Sequence, residues 1–143
     1  MYIREAKIVY GRRKFKSEVF NRPEHVYDYF KFMSDFVEER VYVACLNNAN
    51  VLISFKEVSV GTINVSVVIP RDIFRLAVMV GASSIILIHN HPSGGVTPST
   101  QDIEITKVVK EAGRILGIKV LDHIIIGFNE FYSLNEMGLL DSE

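Results

Sequence analysis

The sequence predicts an α/β domain, in which buried strands alternate with amphipathic helices. Of the 143 residues, 48% are hydrophobic, which suits one compact core. Apolar runs of strand length, such as VYVACL and SSIILI, alternate with longer segments whose apolar residues recur at helical spacing. We therefore expect one main domain over residues 23–143, preceded by an N-terminal strand and a basic arm over residues 1–22.

The N-terminal segment YIREAKIVY, residues 2–10, alternates loosely between polar and apolar residues, which favours a strand. The basic segment GRRKFKSEVFNR follows it. A solvated edge or loop is the simpler interpretation of this positive arm, and a nucleic-acid patch is the alternative.

Proline marks the start of the first two predicted helices, because it is favoured at the first helical position. The first helix begins at Pro23, and the second runs from Pro70 to about Gly81. A third is predicted over PSTQDIEITKVVKEAGRILG, residues 98–117. The residues expected to face the core are Val26, Phe30, Met33 and Val37 in the first helix, Ile73, Ala77 and Val80 in the second, and Ile105, Val108, Val109, Ala112 and Leu116 in the third.

The segments between these helices predict strands. A three-stranded antiparallel run is expected over residues 41–46, 51–60 and 62–69, and further strands over residues 83–88, 119–127 and 129–134.

Charge, cysteine content and hydropathy narrow the range of protein classes, although they leave DNA association open. A net charge of -1 and a pI near 6.4 lack the basic footprint of a dedicated nucleic-acid binder. The single cysteine, Cys45, has no intramolecular partner, which favours a reducing compartment. The N-terminus is too charged for a signal peptide, and no apolar run approaches the roughly 18 residues of a membrane span. We expect a cytoplasmic protein that does not associate with membranes.

Two histidines and an aspartate occur within HNHPSGGVTPSTQD, residues 89–102. His89 and His91 end a predicted strand, where residues i and i+2 point to the same side, so both imidazoles can face one point. Asp102 follows in the first turn of the third predicted helix, at a type of corner where α/β proteins commonly bind ligands. Catalytic zinc typically takes three protein ligands of these types and keeps a fourth position for water. The pattern therefore indicates a candidate metal site.

A second interpretation explains Asp102 without a metal. Ser99 and Asp102 have the spacing of a capping pair, in which the serine caps the helix and the acid reaches back to its amide. This interpretation does not account for the two histidines or for the glycine-rich loop between them and the helix. The residues alone leave both interpretations open.

The spacing from His89 to Asp102 resembles the JAMM motif of metalloproteases, also called JAB or MPN-plus. The surrounding segments GTINVSVVIPRDIF, IILIHNHPSGGVTPSTQDIEIT and GIKVLDHIIIG resemble the RadC-type branch of that family. The resemblance covers roughly residues 24–140. It implies a cytidine-deaminase-like α/β/α sandwich with a mixed central sheet. Fuller members of the branch carry an N-terminal helix-hairpin-helix segment, which we expect this chain to lack.

The resemblance also implies roles for individual residues. It assigns His89, His91 and Asp102 to a Zn²⁺ ion, and gives the Ser99 hydroxyl a part in holding the water or the developing oxyanion.

The family's catalytic glutamate lies near the junction of the first helix and the first core strand, which is FVEERVYV here. We assign it to Glu39, with Glu38 and Glu57 as the other candidates. Asp122 and His123 match the RadC-type branch, and we expect a core role or an outer hydrogen-bonding role for them. Asn90, which points away from the two histidines, is expected to be structural.

The leading functional prediction is a zinc-dependent hydrolase that cleaves a peptide or isopeptide bond in an unknown protein or peptide. The alternative is a DNA-associated accessory protein whose metal site is structural. Local support for that alternative is limited to the basic arm, and DNA affinity would then depend on Arg12, Arg13 and Lys14. An inactive metal-binding scaffold is a third possibility, against which the presence of Glu39 argues mildly.

Overall fold

The structure is a computed structural model that describes residues 4–9, 11 and 18–140. Its elements are α1 (Pro23–Phe30), a 3₁₀ helix (Lys31–Asp35), β1 (Arg40–Leu46), β2 (Leu52–Val60), α2 (Pro70–Val80), β3 (Ser84–Asn90), α3 (Thr100–Leu116), β4 (Lys119–Ile126) and β5 (Phe131–Ser133). The strands form one mixed sheet in the order β2-β1-β3-β4-β5. The central neighbours β3 and β4 are parallel, and the other neighbours are antiparallel.

A hydrophobic core lies on each face of the sheet. One core packs β1, β3 and β4 against α2 and α3, and includes Val41, Val43, Cys45, Ile73, Phe74, Ala77, Ile85, Leu87, Ile105 and Val109. The other packs the opposite face against α1 and the 3₁₀ helix, and includes Phe20, Val26, Phe30, Met33, Ala44, Leu46, Ile86, Ile88, Ile124 and Ile126. Because helices cover both faces of a mixed sheet, the predicted α/β/α class is confirmed.

The strand predicted over residues 62–69 is wrong, since those residues form turns and irregular backbone. The Asn64 side chain accepts hydrogen bonds from the amides of Ser66 and Val67, at 2.9 and 3.1 Å. This local pairing replaces the interstrand bonds that a strand would make. Ile63 and Val68 still reach the core, which explains why the segment is apolar.

The N-terminal strand predicted over residues 2–10 is not formed in residues 4–9, because these residues are exposed and burial does not select one face of a strand there. The remaining residues of that prediction, and Arg12, Arg13 and Lys14 of the basic arm, lie outside the described residues. Farther along the chain, Val19 forms a bridge with Val51.

Three of the predicted core positions are exposed. Val37 is 90% exposed because the helical segment, α1 followed by the 3₁₀ helix, ends at Asp35 and does not include it. Val108 and Leu116 are 44% and 50% exposed. The inner face of α3 instead includes polar residues and a glycine, and its buried residues are Asp102, Ile105, Thr106, Val109 and Gly113. Apolar spacing alone could not find such a face.

None of the helices in the described part of the chain is long and apolar enough to cross a membrane.

Candidate metal centre

The end of β3 brings two imidazoles together. His89 lies in the sheet between Val41 of β1 and Ile125 of β4, and its side chain is fully buried. His91 is the first residue after β3, and its amide donates to the carbonyl of Ile126 at 3.0 Å, which continues the parallel pairing by one residue. The Nε2 atoms of the two histidines lie 2.9 Å apart. Both rings therefore face one point, as the i, i+2 spacing predicts.

The carboxylate of Asp102 reaches the same point from the start of α3. Its Oδ1 lies 3.3 Å from Nε2 of His89, and its Oδ2 lies 3.2 Å from Nε2 of His91. The capping box is also present, because Ser99 Oγ accepts from the Asp102 amide at 3.1 Å and Asp102 Oδ2 accepts from the Ser99 amide at 2.8 Å. Capping therefore does not compete with the metal interpretation, since it fixes the carboxylate against the two imidazoles.

The charges at this point favour a cation. Burial opposes ionisation of Asp102, yet the neighbouring imidazoles of His89 and His91, together with the Ser99 amide, hold the pKa of its carboxyl well below its usual range. The hydrogen bond with Asp102 raises the pKa of His91, against the effect of burial. A buried carboxylate and two imidazoles thus share one site, and a cation bound between them would satisfy all three.

Glu39 lies immediately before β1 and faces the two histidines. A carboxylate oxygen of Glu39 and one nitrogen of each imidazole, His89 and His91, all lie within 4.8 Å of one another. The Glu39 carbonyl accepts from the amide of Gly61 at 2.7 Å, which joins this segment to the end of β2.

The Asn90 side chain holds this segment from the other side. Its Oδ1 accepts from the Arg40 amide at 2.8 Å, and its Nδ2 donates to the Glu38 carbonyl at 3.0 Å. The two bonds flank Glu39, so the residue between the two histidines fixes the backbone that carries the predicted base. A structural role for Asn90 is predicted from the sequence, but local pattern could not reveal this contact, because it joins residues about fifty positions apart.

The other two glutamate candidates have different surroundings. Glu57 forms an ion pair with Arg40, with Nη1 and Oε1 2.7 Å apart. Glu38 is exposed, and its carbonyl rather than its carboxylate contacts Asn90.

The loop between His91 and Ser99 packs tightly against the end of β4. The amide of Phe128 donates to the carbonyl of Gly94 at 2.9 Å. At Gly127, an added Cβ would lie 2.5 Å from that carbonyl oxygen. Glycine at this position therefore allows the loop backbone to approach the end of β4 closely, which fixes the position of the loop.

Two buried polar residues lie behind His89. Nε2 of His123 is 2.7 Å from Nδ1 of His89, and Nδ1 of His123 is 2.6 Å from Oγ1 of Thr106. An outer hydrogen-bonding role is among the predictions for His123, whereas Thr106 is not among the residues predicted for the site. Its position one helical turn after Asp102, on the same face, is a signal that could have found it.

The donor set fits a divalent metal. Imidazole nitrogens and a carboxylate are common zinc ligands, and three of them leave a fourth tetrahedral position open. The three donor groups of His89, His91 and Asp102 approach to 2.9–3.3 Å of one another with no side chain between them.

A separate groove of about 940 Å³ lies along the C-terminal half of α3 and the start of β4. Basic side chains line much of it, including Lys107, Arg114 and Lys119. None of the predicted site residues contributes to its lining, so the candidate site is identified by its chemistry and not by cavity size.

Comparison with known families gives a match to the family described as RadC-like JAB domain, over residues 20–139. The chain belongs to this family. UPF0758 proteins are similar in sequence: the one from Pelobacter propionicus is 47% identical over 91% of this chain and 57% of its own length, and one from Staphylococcus aureus is 48% identical over 92% and 58%. Another, from Caldanaerobacter subterraneus, is 52% identical over 74% and 46%.

The resemblance to the RadC-type branch is thus confirmed. This RadC-like JAB domain spans about half the length of the curated relatives it matches. The relatives' names state neither an activity nor a metal, so the reaction and its substrate are matters for proposal.

Proposed function

We propose that the protein is a zinc-dependent metallohydrolase that cleaves a peptide or isopeptide bond in a protein or peptide substrate. The observation that carries this proposal is the convergence of His89, His91 and Asp102, whose donor groups approach to 2.9–3.3 Å of one another beside the Glu39 carboxylate. A bound zinc ion would supply a Lewis acid for a water molecule and for the carbonyl of the scissile bond.

Glu39 acts in this proposal as general base and then as general acid. Its carboxylate takes a proton from the attacking water as the water oxygen bonds to the carbonyl carbon. It returns that proton to the amine nitrogen as the C–N bond breaks. Its position beside both imidazoles supports this assignment over Glu57, whose carboxylate is paired with Arg40.

Ser99 contributes a hydrogen bond to the oxyanion in this proposal. Its Oγ accepts from the Asp102 amide, which leaves the hydroxyl hydrogen to donate toward the substrate. Its exposed position at the mouth of the site supports this role, since a substrate can reach it.

Metal content tests the first step of the proposal. We expect wild type to hold about one zinc per chain by elemental analysis, and His89→Ala and Asp102→Ala to lose it. Asp72→Ala is a matched control for Asp102→Ala, because Asp72 has the same position in the first turn of α2 and lies outside the site. His25→Ala is the corresponding histidine control.

Hydrolysis tests the second step. With a diverse peptide library as substrate, we expect Glu39→Gln to retain zinc and lose cleavage, while Glu57→Gln retains both. Cleavage that survives Glu39→Gln would refute the assignment of the base. If wild type holds no zinc even when zinc is supplied during folding, the hydrolase proposal fails and DNA or partner binding becomes the leading alternative.

A further inference from the structure

Two polar side chains that belong to no predicted ligand set are buried behind the candidate metal centre. His123 of β4 is 1% exposed and Thr106 of α3 is 2% exposed. Buried polar groups are costly unless they are hydrogen-bonded. Both residues are bonded here, and their bonds lead directly to His89.

The hydrogen bonds have a defined direction. The carbonyl of Asp102 can only accept, so the Thr106 hydroxyl, 2.7 Å away, donates to it. That hydroxyl has one hydrogen, so its oxygen accepts from Nδ1–H of His123 at 2.6 Å. In a neutral imidazole the other nitrogen is then an acceptor, and Nε2 of His123 receives Nδ1–H of His89 at 2.7 Å. Nε2 of His89 is left with its lone pair directed at the point shared with His91 and Asp102.

An irregularity in β4 places His123 on the correct face. Val120 packs on the face covered by α2 and α3, whereas Ile124 packs on the face covered by α1. Both residues have even numbers, so a regular strand would point them to the same face. The pairing with β3 shifts register between Ile85 and Ile86, opposite Val120 and Asp122. The shift turns His123 toward α3 and His89, and bulges commonly re-aim side chains next to active sites in this way.

We propose that His123 is a positioning residue for metal binding, with Thr106 as the group that fixes its proton on Nδ1. The inference rests on the metal centre of the proposed function and adds the device that orients one ligand. Histidine ligands commonly donate their second ring N–H to an acceptor, and loss of that acceptor typically lowers metal affinity about ten- to hundredfold. Here the acceptor for the His89 N–H is a neutral imidazole, that of His123. Thr106 makes this possible, because its hydroxyl oxygen holds the His123 hydrogen on Nδ1 and leaves Nε2 free to accept.

The proposal is tested with two matched pairs of variants. His123→Leu removes the acceptor for His89, whereas His123→Gln supplies an amide oxygen in its place. Thr106→Val removes the hydroxyl, whereas Thr106→Ser keeps it. Ser133→Ala is the control for deleting a buried polar group, because Ser133 bonds to Asp122 and not to the site.

Zinc affinity is measured by competition with a chelator, and the Co²⁺-substituted protein gives a visible spectrum that reports ligand geometry. We expect His123→Leu and Thr106→Val to weaken zinc binding by about ten- to hundredfold. The Gln and Ser variants should recover most of the affinity, and the Ser133 control should match wild type. Nitrogen-15 NMR of the metal-free wild type should show hydrogen on Nδ1 of both His89 and His123.

The outcomes separate this inference from the proposed function. Wild-type zinc affinity in both His123→Leu and Thr106→Val, together with loss of zinc in His89→Ala, would overturn the positioning role and leave the hydrolase proposal intact. Absence of hydrogen from Nδ1 of His89 in the metal-free wild type would also overturn it. If wild type binds no zinc, both proposals fail. Should His123→Leu not fold, the Thr106 pair and the wild-type NMR spectrum still decide the question.

Discussion

Replacing Asn90 with alanine should destabilise the protein and uncouple metal binding from catalysis. The side chain is 1% exposed and makes two hydrogen bonds to the backbone on either side of Glu39. Each bond contributes about 1 kcal/mol net, and a buried backbone group left without a partner costs about 1–3 kcal/mol. Since Arg40 N and Glu38 O are only partly buried, water can replace some of the loss, and we expect a total of about 2–4 kcal/mol.

Equilibrium unfolding in urea measures this loss, and an unchanged slope with denaturant shows that the folded state keeps its compactness. Asn135→Ala, at an exposed position, is the matched control and should stay within about 0.5 kcal/mol of wild type. Zinc content of Asn90→Ala should stay near wild type because the three ligands are untouched, while any hydrolysis should fall because Glu39 is less well placed. An Asn90→Ala protein as stable as the control would refute the reasoning.

Two further predictions concern the loop and the core. Gly127→Ala should cost about 1–3 kcal/mol and weaken zinc binding, because the new methyl group collides with the Gly94 carbonyl and displaces the loop that joins His91 to Ser99. Gly95→Ala, whose methyl would meet only a side-chain oxygen at 4.0 Å, is the control, and equal zinc affinities in the two variants would contradict the prediction. Burial raises the pKa of the Cys45 thiol from an ordinary 9.0 to about 12, so the unfolded thiol ionises first as pH rises. The contribution of the neutral thiol to the free energy of unfolding is therefore fully present below about pH 9. Above that pH the free energy of unfolding of wild type should fall, relative to that of Cys45→Ala, by about 1.4 kcal/mol per pH unit. Parallel pH profiles of wild type and the variant would disprove this.

Local signals determined much of the fold before any tertiary contact was known. Apolar runs located β1, β3 and β4 to within two residues, and proline and serine at first-turn and capping positions located the helix starts. These predictions succeeded because strand burial, capping and helix initiation depend on residues close together in sequence. The strand predicted over residues 62–69 was wrong because another local interaction was stronger than the apolar pattern. The Asn64 side chain bonds to nearby backbone amides and forms a turn there.

The sequence by itself also determined which residue types could form a metal site and that two of them share one side of a strand. Only the tertiary structure decided which glutamate faces that site. Glu39 is held there by Asn90, which lies on the neighbouring strand β3 but about fifty residues later in the sequence. Only the structure showed that His123 faces His89, since that depends on a register shift between two strands. The pattern of apolar residues within one segment indicates which side of that segment is buried. Contacts between distant segments depend on strand register and packing, which cannot be read from any single segment.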